Sequence, residues 1–370
     1  MPERSTIYEV ARQSGVSTAT VSRVMGNGTG FSEATRTRVL AAAAELDWFP
    51  SGTARGLASR RNGIIGLLFP DLGSSDDLEV ESPLYVDQVI RGAESAATAD
   101  GDAVLIAATR GASGRALALA VASKCDGLVV VARALNESDL ATLAQRVPVV
   151  VLSDQVGRRT NVDAVGVDNR SGLRGLVAHL TSVHGYTDLA FVGGPADSPD
   201  SIERFAAFRQ GVAAAGLHAP RAPDADGGFT EGGGARAVAD LLDRRSDQGR
   251  TPPRAIVCGN DEMAVGALGV LSSQHLHVPG DVAVTGFDDL AIARHVRPSL
   301  TTVAQPIREI GAEAVRAVVA RLADGAAQRR SVVLPTRVVL RSSCGCTHGH
   351  GHRETAAGDE QQTSRAGSRA

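Results

Sequence analysis

Lysine is almost missing from this chain: Lys124 is the only one, so nearly all of the 38 basic side chains are arginine. Aromatic residues are scarce as well, at 3%. Four cysteines in 370 residues are too few for a disulfide-stapled scaffold and fit a reducing compartment. Cys125 and Cys258 lie in or beside apolar runs and read as buried thiols, while Cys344 and Cys346 stand too close together for a structural crosslink. No apolar run approaches the ~20 residues that span a bilayer, and the first residues lack the hydrophobic stretch of an export signal. The expected location is therefore the cytoplasm, with no membrane partner. FVGGPADSP has glycines without the GxGxxG spacing, and Pro195 would interrupt the start of a phosphate-binding helix. With no convincing Ser/His/Asp or Cys/His arrangement either, we expect neither a cofactor nor an enzyme.

What is present is uneven. The net charge is -3, yet residues 1–61 carry eight Arg against five acidic residues. A mildly basic head on an acidic body suggests a nucleic-acid module joined to a different kind of domain. That head contains TIYEVARQSGVSTATVSRVMGN, residues 6–27. Thr6 and Glu9 stand at capping-box spacing ahead of Ile7, Val10 and Ala11, which predicts a short helix. Gly15 supplies a sharp turn, and Ser17 can cap a second helix with Val21, Val24 and Met25 inward. Small Ala11, turning Gly15 and apolar Val21 have the spacing that lets two short helices cross closely, a helix-turn-helix. Ser17, Thr18, Ala19, Ser22 and Arg23 would then face outward, offering small groups to phosphates and base edges and a guanidinium to guanine. A third helix, capped by Ser32, would close the core with Val39, Leu40, Ala43 and Leu46.

SGTARGLASRRNG, residues 51–63, is too short for a stable isolated helix, so it reads either as a helix ordered only on docking or as a linker. From Ile64 on, glycine-bounded apolar runs (64–69, 104–108, 128–131, 149–152, 164–167, 189–192, 255–258 and 282–287) alternate with stretches of helical period. Buried strands alternating with helices predict parallel sheets covered on both faces. So many units exceed one comfortable sheet, which predicts two α/β lobes with ligand between them, at the carboxyl ends of the strands.

These stretches resemble the LacI/GalR family of transcriptional regulators. The N-terminal signature carries the likeness, together with LDWFPSGTARGLASRR and VPGDVAVTGFDDLAIARHVRPSLTTV. The resemblance implies an α/β protein with a three-helix head, a hinge helix and a two-lobed core like a periplasmic binding protein. The expected boundaries are 1–49 for the head, 50–61 for the hinge and 62–343 for the core. Within the core we expect a first lobe of 62–163 and 294–323, a second of 164–293 and 324–343, and a disordered tail at 344–370. It implies base reading by Thr18, Ala19 and Arg23 and phosphate contacts from Thr6, Ser17, Thr20 and Ser22. Gly26 stands where the family commonly has asparagine, and Asn27 follows it. In the hinge, Ala54 and Leu57 complete the DNA-facing set, with Leu57 as an apolar wedge in the minor groove.

For the core, the resemblance implies that Arg204, Asn260 and Asp288 hold an effector rich in hydroxyls. The family's first-lobe aspartate position falls on Ser153, with Asp154 next, so one of these two is a further candidate, as are Tyr85 and Asp87. An acidic insertion at 73–82 departs from the family pattern. The implied partners are palindromic operator DNA, a small effector of carbohydrate type and a second copy of the chain, with a tetramer left open. A purine co-repressor is the alternative effector. A transport-type solute binder would have no use for the head, and an oxidoreductase would lack its phosphate loop. The terminal CGCTHGHGH could bind soft metals, but flexible glycine spacers give no preorganisation, and no metal site is expected.

Overall fold

The computed structural model describes residues 5–26, 28–48, 61–70, 82–109, 113–325 and 328–346. Asn27, Ala54, Leu57, most of the acidic insertion, the segment after residue 346 and the Asp154 side chain lie outside the described residues.

The head is three helices: α1 (Ile7–Ser14), α2 (Thr18–Met25) and α3 (Glu33–Glu45). The Glu9 carboxylate accepts the Thr6 N–H at 2.7 Å, so the first helix starts where the sequence predicts. Gly15 sits at φ 69° and returns its N–H to the Ala11 carbonyl, a backbone turn that a Cβ would strain. The Ser17 hydroxyl accepts the Thr20 N–H at 3.2 Å and begins α2. Val10, Ala11, Val21, Val24, Val39, Ala42 and Ala43 form the core. Each fully buried valine contributes about 1.5–3 kcal/mol of transfer free energy. Leu40 is not among them, being 44% exposed. At about 100° per residue, Ala42 and Ala43 lie on either side of Val39 on the inward stripe, while Leu40 falls beyond its edge.

The rest of the chain builds two parallel sheets. The first has six strands: β1 (Ile64–Phe69), β2 (Ala103–Ala108), β3 (Gly127–Val131), β4 (Val149–Leu152), β5 (Asp163–Val167) and β11 (Ser331–Leu334). Their order is β11-β5-β4-β3-β1-β2, every pair parallel. Parallel neighbours need crossovers, made here by α4 (Pro83–Ala99), α5 (Gly114–Ala122), α6 (Glu137–Ala144) and α7 (Asp154–Thr160). Ile65, Leu67 and Phe69 pack on α4 and on α13 (Ile307–Asp324), whereas Leu68 faces α5 and α6. The strand alternates because successive side chains point to opposite faces, and both faces are covered.

Between β5 and β11 the chain makes the second lobe. Its strands are β6 (Leu189–Gly193), β7 (Ala225–Asp226), β8 (Ala255–Cys258) and β9 (Ala283–Thr285), ordered β7-β6-β8-β9. Its helices are α8 (Asn169–Ser182), α9 (Pro199–Ala214), α10 (Glu231–Asp247), α11 (Asp261–Ser273) and the short α12 (Ile292–His295). The chain then crosses back through β10 (Thr302–Ala304), which pairs antiparallel with β12 (Arg337–Val339).

Three expected boundaries move. Residues 164–167 and 331–334 belong to the first sheet, because β11 pairs with β5 from Ser331↔Ala164 to Leu334↔Val167. Val296, Leu300 and Val303 pack in the second lobe's cores, so the return to the first lobe comes after β10 and not at residue 294. The other two crossings follow Val167 and Leu334. Cys344 and Cys346 do not belong to a disordered tail: a 3-10 turn at Ser342–Cys344 is tied down by Ser343, whose hydroxyl donates to the Val284 carbonyl at 2.6 Å. Among the described residues, no helix is long and apolar enough to cross a membrane.

Candidate functional site

A cleft of about 660 Å³ opens where the carboxyl ends of both sheets face each other, the position that open α/β sheets reserve for ligands. From the first lobe it is lined by Phe69 and Pro70 at the end of β1, Tyr85 and Val86 of α4, Val131 to Arg133 at the end of β3, and Leu152 of β4. The second lobe contributes Ser198, Asp200, Arg204, Phe229, Asn260 and Asp288, and Gln305 stands on the crossover.

Arg204 is the centre of a buried polar network. It lies on α9, which Ser198 caps by accepting the Ser201 N–H at 3.4 Å. Its Nε donates to Asn169 Oδ1 at 2.9 Å, and its Nη1 donates to the Gly259 carbonyl at 2.7 Å. The guanidinium carbon sits 3.8 Å from the centroid of the Phe287 ring, a cation–π contact strengthened by the lack of water. Asn169 in turn donates to Asp200 at 2.9 Å and to Glu203 at 3.1 Å. The Asp288 carboxylate is 3.6 Å from Arg204 Nη1 and accepts the Gln305 amide at 2.6 Å. Burial pushes the Asp288 carboxyl above the ordinary range, while Arg204 and Gln305 pull it back. Asp288 also has φ 119° and Asp289 φ 57°. These angles turn the chain just beyond the predicted run 282–287, of which Ala283–Thr285 form the strand.

Asn260 caps α11, accepting the Met263 N–H at 2.9 Å. Its amide donates across the cleft to Ser82 Oγ at 3.0 Å and within its own lobe to the Phe229 carbonyl at 3.2 Å. Ser82 Oγ donates to the same carbonyl at 3.0 Å. Beside it, the Leu84 N–H reaches Glu262 Oε1 at 3.3 Å. Burial raises the Glu262 carboxyl to about 7, against the opposing effect of the Leu84 N–H. These bonds join the lobes along one edge of the cleft.

The structure thus brings Arg204, Asn260, Asp288 and Tyr85 to one cleft. Burial, then the Asp200 and Asp288 carboxylates, raise the Tyr85 hydroxyl's pKa, so it stays a neutral donor. Asp87 does not join them, because it pairs with Arg91 at 2.8 Å on the exposed side of α4. Sequence reasoning missed Asn169, Gln305, Ser82, Asp200 and Phe229. Asn169 stands one residue beyond a short apolar run, after Asp168, and Gln305 directly follows Val303 and Ala304; that strand-end position was the available signal. Ser82 ends an insertion whose length hides it.

In the head, Ser17, Ala19, Ser22 and Arg23 are exposed along α2, and Thr18 and Thr20 are partly so. Thr6 is exposed at the start of α1. The Ser17 and Thr20 hydroxyls lie 3.0 Å apart, and Arg23 Nε donates to the Ala19 carbonyl at 3.4 Å. The face is one strip of short polar groups backed by Val21 and Val24, with the shape of a recognition helix.

Both halves match known proteins. Residues 6–51 match the model of bacterial regulatory proteins of the lacI family, and residues 177–344 match a periplasmic binding protein-like domain. The HTH-type transcriptional regulator GalR of Escherichia coli K12 is 32% identical over 323 residues, covering 86% of this chain and 90% of that protein. A Lac repressor dimer solved with operator and an anti-inducer superposes with a TM-score of 0.75 at 27% identity, covering 92% of this chain and 99% of that one. The transcriptional regulator CelR in complex with cellobiose gives 0.66 at 29% identity, covering 92% of this chain and 100% of that one. The chain belongs to the LacI family of DNA-binding transcriptional regulators and is not an enzyme.

Proposed function

We propose that this protein is a sequence-specific repressor whose hold on a palindromic operator is relieved by a small carbohydrate bound in the cleft. The carrying observation is Arg204, buried against Phe287 and bonded to Asn169, with Asp288 beside it and an apolar wall opposite. Sugars present paired hydroxyls, each a donor and an acceptor, around an apolar ring edge. Fixed donors and acceptors facing apolar side chains suit that chemistry. The CelR relative solved with cellobiose supports the same reading.

In this reading Thr18, Ala19 and Arg23 read bases, and Thr6, Ser17, Thr20, Ser22 and Asn27 hold phosphates. Ala54 and Leu57 meet the minor groove, and two chains pair so that two heads reach two half-sites. Asp154 stays a candidate for the first-lobe wall. Effector changes how the lobes sit, the dimer carries that change to the hinges, and reciprocity requires operator to weaken effector binding by the same factor.

The test is a thermal-shift panel of mono- and disaccharides, followed by operator anisotropy with each hit. A true effector at a hundred times its Kd should stabilise by about 2.7 kcal/mol and release operator. A nucleobase that stabilises and tightens operator binding would replace this reading with co-repression.

A further inference from the structure

We propose that His179, His184, Cys344 and Cys346 form a structural zinc site that clips the end of the core to the second lobe. The four ligand atoms all lie within 4.8 Å of one another. His179 Nε2 and His184 Nε2 are 3.1 Å apart, and Cys346 Sγ is 3.4 Å from the first and 3.6 Å from the second. Cys344 Sγ is 3.8 Å from His179 Nε2. Zinc bonds of about 2.0–2.1 Å to nitrogen and about 2.3 Å to sulfur in a tetrahedron put ligands about 3.3 Å apart for N–N and about 3.6 Å for N–S. These four distances are already close to that spacing, so an ion would need mainly a small shift of Cys344.

The elements explain why the four meet. His179 is in the last turn of α8, and His184 follows in the loop that leads to β6. Cys344 ends the 3-10 turn, fully buried, and Gly345 at φ 105° turns the chain so that Cys346 returns to the same point. A Cβ on Gly345 would stand 3.1 Å from the Tyr186 hydroxyl and 3.3 Å from the His184 ring. Tyr186 donates to the Cys344 carbonyl at 3.0 Å and stacks on His184 at 5.2 Å between centroids, so it orients one ligand of each kind, as outer partners of metal sites do.

Two imidazoles and two thiols suit zinc, a closed set of four leaves no position for substrate, and the role is therefore structural. The ligand pairs are separated by the whole second lobe. An ion here would fix the chain end beside α8, whose other end carries Asn169 of the cleft network. This differs from the sequence expectation of no metal site: the two thiols face His179 and His184, which no spacing rule connects to them.

The test uses the full chain with His348→Gln, His350→Gln and His352→Gln, so that terminal histidines cannot contribute. Purified after addition of zinc and passage through a weak chelator, it should hold one zinc per chain by mass spectrometry of the metal. Cys346→Ser and His184→Gln should each lower that content at least tenfold. Cobalt loading of the unaltered ligand set should give intense tetrahedral visible bands and a near-ultraviolet thiolate-to-cobalt band. Cys346→His keeps four ligands and should retain metal with about half of that thiolate band, which separates lost ligation from lost folding. A metal-free preparation, a pale octahedral cobalt spectrum, or full zinc retention in Cys346→Ser would overturn the site. So would a Cys344–Cys346 disulfide that persists in the presence of zinc.

Discussion

Phe69, Val131 and Leu152 reach the cleft from the first lobe, while Arg204, Asn260 and Asp288 reach it from the second. The first wall is made of strand ends whose neighbours are core hydrophobes, and it carries few fixed hydrogen-bonding groups. The second is a network whose members already hold one another: Asn169 positions Arg204, Gln305 positions Asp288, and Met263 positions Asn260. Recognition by polar groups needs that preorganisation, because a side chain ordered only on binding loses entropy at that moment. The difference teaches a division of labour. One lobe holds the directional contacts whether or not ligand is present, and the other supplies apolar cover and the edge that closes.

The strongest way to break this comparison is to remove half of the Arg204–Asp288 pair. Arg204→Ala leaves a buried carboxylate without its partner and should destabilise the core by about 3–5 kcal/mol, as well as abolish the response to effector. The double variant Arg204→Met/Asp288→Asn removes both charges and keeps the volume. It should recover at least half of that loss by urea unfolding and still ignore effector, with operator binding retained below its melting temperature. Equal destabilisation of single and double variants would mean that the charges do not interact.

Glu262 sharpens the comparison at the edge where the lobes meet. Its carboxyl titrates near 7 when folded, against an ordinary 4.5. Between those values the folded state keeps a proton that the unfolded state has lost. The neutral form's advantage is therefore complete below the ordinary value and lost as pH rises through 7, up to about 3 kcal/mol in all. Glu262→Gln keeps the acceptor for Leu84 and cannot ionise. Its melting temperature relative to wild type should rise from pH 5 to about pH 7 and level off above it, and a flat difference from pH 5 to pH 8 would show the carboxyl to be ordinary.

The head is the opposite extreme, with its polar groups exposed and free to meet DNA. Arg23→Ala should change stability by less than about 0.5 kcal/mol, yet weaken preference at one base per half-site by about 1–3 kcal/mol. Equal loss on specific and random DNA in anisotropy titrations would make Arg23 a phosphate contact instead.

How far the sequence could be read depended on the kind of order involved. The head's caps and its Ala11, Gly15 and Val21 are local, so spacing alone placed them. Strands rich in Val and Leu announced the parallel sheets. Helix α10 was harder, since it begins EGGG: Gly234 meets the Met263 backbone and allows a close helix crossing, while Gly233 meets the Gly227 backbone of the loop just before the helix. The outer strand β11 pairs with β5 across more than 160 residues, and no local pattern reports such a partner. Arg204 and Asp288 were found through motif resemblance, whereas Asn169 and Gln305 act only through those two and became visible with them.

The smallest expected effect concerns Ser82, whose hydroxyl joins the first lobe to the second beside the Leu84–Glu262 bond. Its hydroxyl accepts from Asn260 and donates to the Phe229 carbonyl. Asn260 and Phe229 keep their own bond at 3.2 Å when that hydroxyl is removed, so Ser82→Ala leaves no group in the second lobe stranded. The loss should therefore be near the net worth of a neutral hydrogen bond, about 0.5–1.5 kcal/mol. It should fall on the closed arrangement alone, because Ser82 leaves the second lobe when the cleft opens. A shift of that size changes the closed-to-open ratio about two- to tenfold. Small-angle scattering should show a larger radius of gyration for the variant without effector, and effector affinity should fall in proportion to the closed fraction. Unfolding of the second lobe's own contacts should be unaltered. If the radius and the affinity both stay at wild-type values, the edge bonds do not hold the lobes, and closure rests on the apolar wall.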